Sequence, residues 1–175
     1  MTRDALEHII RAAGTIADDQ DIIVIGSQAI LGQFPDADPE LLISREADVY
    51  PRNHPERWNV IDGAIGEASP FDRQFGYYAH GVDETTAVLP RGWAQRLVEV
   101  CGPNTRFIRG WCLEVHDLAI AKLVAGRDKD LDFVRILGGR RYVSQDVLLS
   151  RCQETDLPEA LRPIVEGRIS AAFRA

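Results

Sequence analysis

The chain is short of cysteine, of positive charge and of long apolar runs, and each shortage argues against a class of function. Its three cysteines, Cys101, Cys112 and Cys152, are odd in number, widely spaced and free of any Cys-x-x-Cys pair. That argues against a disulfide framework or a zinc site and for a reduced, cytoplasmic protein with mostly buried thiols. Lys and Arg number 20 against 27 Asp and Glu, a net charge of −7. No extensive nucleic-acid surface is expected from such a balance, although a local basic pocket for a nucleotide remains compatible with it. No apolar stretch approaches the roughly 18 residues of a membrane span, and residues 2–20 form a charged amphipathic pattern rather than a signal peptide. The histidines His8, His54, His80 and His116 lack ligand spacing and read as solvent-facing or ordinary hydrogen-bonded residues. Internal repeats and low-complexity segments are also lacking.

What is present fits one domain with a small helical appendage. Thr2 can cap a first helix whose apolar stripe is Leu6, Ile9, Ile10, Ala13 and Ile16. The acidic run at residues 18–21 reads as a solvated turn. Residues 22–25 are Ile-Ile-Val-Ile without polar alternation, the pattern of a central strand covered on both faces. Gly26 then permits a tight turn, and Ser27 is a natural N-cap for a short helix over residues 28–32.

A second strand over residues 42–50 carries Glu46 and Asp48 one residue apart. Side chains alternate across a strand, so both carboxylates project from one face. Two adjacent carboxylates repel, and a divalent cation between them is the usual reason for such a pairing. Gly26-Ser27 and the acidic pair together suggest a metal-and-phosphate site.

The middle third reads as strand-rich and antiparallel, with candidate strands at residues 75–82, 85–89, 96–100 and 105–113 and a loosened stretch around Ser69-Pro70. From His116 onward the period is helical. Residues 118–125 are apolar nearly all round except for Lys122, which either reaches the surface along its own stem or reaches an anion in a cleft.

In this order the pieces resemble the nucleotidyltransferases of the DNA polymerase β superfamily. The signature there is a strand ending in Gly-Gly or Gly-Ser, a short helix, and a following strand with two acidic residues one apart; here these are Gly26-Ser27 and Glu46-x-Asp48. Residues 117–130, with Lys122, Arg127, Lys129 and Asp130, are similar to the basic block of the AbiEii-type subgroup and of small uncharacterised bacterial nucleotidyltransferases. The subgroup includes toxins of toxin–antitoxin systems.

The resemblance implies an α+β fold: a mixed sheet packed by helices over residues 1–138, with a C-terminal helical extension at 139–175. It implies Mg²⁺, or Mn²⁺, held by Glu46 and Asp48, with an NTP as substrate and Gly26 and Ser27 against its phosphates. Lys122 would act with the two carboxylates in catalysis, and Lys129 and Asp130 would belong to the nucleotide site. The acceptor of the transferred NMP stays open among RNA, protein and small molecule, and an antitoxin protein is the partner the toxin analogy adds. A third carboxylate, expected on a neighbouring strand, is not evident; Glu99 and Asp83 are the candidates. Without it the alternative is a degenerate member of the fold that binds nucleotide or a partner without catalysis.

Overall fold

The computed structural model describes residues 1–174, which form two compact units: Met1–Thr86 with Leu97–Leu113, and Ala87–Arg96 with the chain from Glu114 onward. The expected fold class is borne out, a mixed sheet packed by helices with further helices toward the C-terminus. None of the described helices is long and apolar enough to cross a membrane.

The first unit holds the whole sheet. Its strands are β1 (Asp21–Val24), β2 (Glu46–Pro51), β3 (Tyr78–Gly81), β4 (Val98–Val100) and β5 (Arg109–Cys112), in the order β3-β2-β1-β5-β4. β1 is central and buried along its full length, as the apolar run that starts at Ile22 requires. Helix α1 (Arg3–Ala17) starts where Thr2 accepts a hydrogen bond from the Ala5 amide, a cap that contributes about 1 kcal/mol. It buries Leu6, Ile9, Ile10 and Ala13, while Ile16 is half-buried. Gly110 on β5 is bare where Ile10 arrives: a Cβ there would lie 2.3 Å from Ile10 Cδ1.

The middle of the chain departs from the antiparallel expectation. β3 pairs parallel with β2, and β5 pairs parallel with β1; only β1–β2 and β4–β5 are antiparallel. A parallel pair needs a crossover, and the segment between β2 and β3 supplies it with helices α3 (Trp58–Ile65) and α4 (Pro70–Phe75). Ser69-Pro70 therefore begins a helix, with Ser69 accepting from the Asp72 amide and Pro70 in the first turn. Residues 85–89 form no strand, because Asp83 accepts from both the amide and the hydroxyl of Thr85 and holds the chain in a turn.

Residues 18–21 are not a solvated turn throughout. Asp19 is 3 % exposed and accepts from the amides of Asp21, Asn53 and His54 and from Asn53 Nδ2. Asp21, also buried, accepts from Arg109, from the Trp111 indole and from Asn53 Nδ2. Burial alone would push the Asp21 carboxyl up, but these donors outweigh it and hold the group below the usual carboxylate range.

The second unit contains α5 (Val115–Ala125), α6 (Asp128–Gly139), α7 (Gln145–Glu154) and α8 (Arg162–Ala172). The Glu114 side chain caps α5 by accepting from the His116 amide. His116 Nδ1 lies 2.7 Å from Glu114 Oε1, and His116 Nε2 accepts from the Ser144 amide 3.1 Å away. Two aspartates with no exposed surface sit inside this unit. Asp117 is gripped by Arg96 through two hydrogen bonds, at 2.8 and 3.0 Å. Asp130 takes Lys122 at 3.0 Å and Arg127 at 2.5 Å.

Candidate functional site

β1 runs out at Val24, and the chain turns at Gly26 into a 3₁₀ turn at Ser27–Ala29 and the short helix α2 (Ile30–Gln33). Gly26, not Ser27, occupies the N-cap position, and no side chain caps this turn. The seven residues of the two helical segments are too few for a strong dipole, so the anion-binding potential here lies in the turn's own amides.

β2 lies antiparallel to β1 and brings its acidic pair to this turn: the Ile25 amide donates to the Asp48 carbonyl at 3.0 Å. The Asp48 carboxylate then closes over Gly26, where a Cβ would stand 1.9 Å from Oδ2. The glycine of the motif thus has a steric cause, because any side chain at 26 collides with the carboxylate. Ala47 and Val49 are buried on the opposite face, with Glu46 and Asp48 half-buried, as strand alternation predicts.

The neighbouring strand completes the arrangement with residues that the sequence did not single out. In the β2–β3 register Tyr78 stands opposite Glu46 and His80 opposite Asp48. The Tyr78 hydroxyl donates to Glu46 Oε2 at 3.2 Å, and His80 Nδ1 lies 2.9 Å from Asp48 Oδ1. Since a carboxylate only accepts, the imidazole donates in this pair. Burial first, and then the adjacent Glu46 carboxylate, push the Tyr78 phenol up to about 12, so it remains a donor at neutral pH. The alternation of Tyr78 and His80 is visible in the sequence; their partner strand is not.

Gln28, one residue past Ser27, is fully buried, and its carboxamide has no hydrogen-bond partner among the described residues.

Neither candidate for a third carboxylate joins the pair. Glu99 is exposed on β4, three strands from β2, which at the usual strand spacing is about 14 Å away across the sheet. Asp83 is exposed after β3 and bound to Thr85. Among the described residues, no group of three or more His, Cys, Asp or Glu is placed to hold a metal ion. The chain itself therefore offers two carboxylates. Mg²⁺ is commonly held in that way, with one or two carboxylates completed by waters and substrate phosphates, so the donor chemistry fits.

Gly26, Ser27, Glu46 and Asp48 all lie in the first unit, and the strand geometry brings Gly26 together with Asp48. Lys122, Lys129 and Asp130 lie in the second unit. The Lys122 ammonium pairs with the buried Asp130 and rests 4.6 Å from the centre of the Phe133 ring. Burial pushes the Asp130 carboxyl up, but the bonds from Arg127 and Lys122 prevail and hold it low. Lys129 is exposed. Arg45, at the entry to β2, binds the Gly76 carbonyl and pairs with Asp72, which ties the strand to α4.

Comparison with known proteins adds one finding. Residues 4–160 match a family described as "Nucleotidyltransferase of unknown function (DUF6036)". No curated protein and no solved structure matches the chain.

Proposed function

Since the chain belongs to this family of nucleotidyltransferases, we propose that it binds an NTP at the Gly26-Ser27 turn and transfers its NMP to an acceptor hydroxyl. The observation that carries the reading is the Asp48 carboxylate lying directly over Gly26, which joins the acidic strand to the turn. Glu46 and Asp48 would hold Mg²⁺, or Mn²⁺, together with the triphosphate oxygens. The ion, when bound, neutralises charge on the triphosphate and on the leaving pyrophosphate. Gly26 leaves room for the Asp48 carboxylate beside the turn, and Ser27 would supply a hydroxyl and an amide to hold a phosphate.

The acceptor oxygen forms a bond to the α-phosphorus, the bond from that phosphorus to the β-phosphate oxygen breaks, and pyrophosphate departs. The acceptor proton leaves to solvent. Positioning and charge stabilisation suffice for such a step, so no covalent protein nucleophile is needed. Roles for Lys122, Lys129 and Asp130, which lie in the second unit, rest on the resemblance alone.

The test is titration of each NTP with Mg²⁺, followed by incubation of each α-labelled NTP with cell extract. Binding and label transfer by the wild type, both lost in Asp48→Asn, support the proposal. Transfer that persists in Asp48→Asn contradicts it.

A second reading is favoured by one observation: the positions opposite the acidic pair on β3 are Tyr78 and His80, not a carboxylate. A site with only two carboxylates supports nucleotide binding without turnover, and tight binding with no label transfer to any acceptor would select this reading. The toxin role, with an antitoxin as partner, rests on the resemblance to AbiEii-type proteins alone. Growth arrest on expression, relieved by Asp48→Asn, tests it.

A further inference from the structure

The two carboxylates of β2 are served by the same neighbour in the same way. Tyr78 and His80 are spaced one residue apart on β3, as Glu46 and Asp48 are on β2, and the parallel register sets them rung against rung. Each rung is one hydrogen bond: phenol to Glu46 Oε2 and imidazole to Asp48 Oδ1. In the second rung the His80 side chain is 51 % exposed and that of Asp48 26 %. A half-exposed pair of this kind adds little to stability. What it does is fix direction. With Oδ1 engaged by His80, the other Asp48 oxygen is turned onto the Gly26 turn. β3 is also the edge strand, so nothing beyond it in the sheet competes for these donors.

We infer that Tyr78 and His80 are positioning residues, a Tyr-x-His pair whose hydrogen bonds aim the Glu46 and Asp48 carboxylates at a shared divalent cation. The inference rests on the proposal that these carboxylates bind the metal–nucleotide complex. Ligand carboxylates are commonly held by a second layer of hydrogen bonds, and loss of such a bond costs about 10- to 100-fold in metal affinity. The pair stands where a third carboxylate is expected, so the site spends that strand on orientation rather than on another ligand.

Electron paramagnetic resonance of Mn²⁺ tests the inference on the whole chain, first with Mn²⁺ alone and then with tripolyphosphate, which removes any dependence on base preference. Four variants serve: Tyr78→Phe and His80→Phe, which delete the donors at similar size, His80→Asn, which restores an N–H donor, and Asp48→Asn. Thermal melts show that each is folded. The expected result is Mn²⁺ binding by the wild type, lost in Asp48→Asn and weakened by about 10-fold or more in Tyr78→Phe and in His80→Phe. The bound-Mn²⁺ spectrum should change in those two variants, with partial recovery in His80→Asn and melting temperatures close to the wild type.

Wild-type affinity and spectrum in both Tyr78→Phe and His80→Phe, with binding still lost in Asp48→Asn, would overturn the positioning role and leave the metal site standing. Absence of Mn²⁺ binding in the wild type, with and without tripolyphosphate, would overturn both.

Discussion

Among the acidic pairs of identical spacing in the first unit, Asp19-x-Asp21 and Glu46-x-Asp48 differ sharply in their surroundings. Asp19 and Asp21 are buried under donors: three backbone amides, the Asn53 carboxamide, Arg109 and Trp111. Glu46 and Asp48 are half-buried, and β3 gives each of them one donor. The spacing of two carboxylates is therefore no site in itself. What separates these two pairs is their burial and the backbone beside them, which is bare at Gly26 next to Asp48.

The largest expected effect falls on the saturated pair. Asp19→Ala leaves the amides of Asp21, Asn53 and His54 without their acceptor, a loss on the order of 3 kcal/mol that lowers the melting temperature by roughly 10 °C. Glu46→Gln should shift melting by under about 2 °C, as for a substitution at an incompletely buried site. Calorimetry of the two variants side by side would break the comparison if their effects were equal.

Next is Lys122→Met, which strips one of two cations from the fully buried Asp130 and should destabilise by about 2–3 kcal/mol. Urea unfolding measures it. A variant of unchanged stability would contradict the structural role of Lys122.

Gly26→Ala is smaller in stability and more telling about the site. The new methyl displaces the Asp48 carboxylate, so affinity for the metal–nucleotide complex should fall about 10-fold, or 1.4 kcal/mol, by titration calorimetry.

How much of this was legible in the sequence follows the range of the forces involved. The central strand shows in the unbroken apolar run at residues 22–25, and the acidic face of β2 shows in its period of two. Both are local patterns. The Tyr78 and His80 rungs depend on a parallel register across a two-helix crossover, and no local pattern encodes it. The burial of Asp19 depends on Asn53, 34 residues away, so an acidic turn looked solvated until its partner was in place. Ser69-Pro70 did carry a start signal, a cap followed by proline at the first helical position, and its reading as a loosened stretch missed that asymmetry.

The smallest effect is one of pH. Asp21 is held below its usual range when folded, so its ionised form stabilises the chain above the unfolded value near 4, and that contribution is lost as pH falls through the lower folded value. Urea midpoints at pH 7 and pH 3 should therefore differ less in Asp21→Asn than in the wild type. An unchanged difference would mean that Asp21 contributes nothing to acid sensitivity.

The most direct measurement of the central claim is one titration calorimetry series, NTP with Mg²⁺, run in parallel on wild type, Asp48→Asn and Asp21→Asn under conditions where all three are folded. The account predicts binding by the wild type and by Asp21→Asn, and none by Asp48→Asn. Binding retained in Asp48→Asn, or lost in a folded Asp21→Asn, would contradict the assignment of the ligand to the Glu46-x-Asp48 pair.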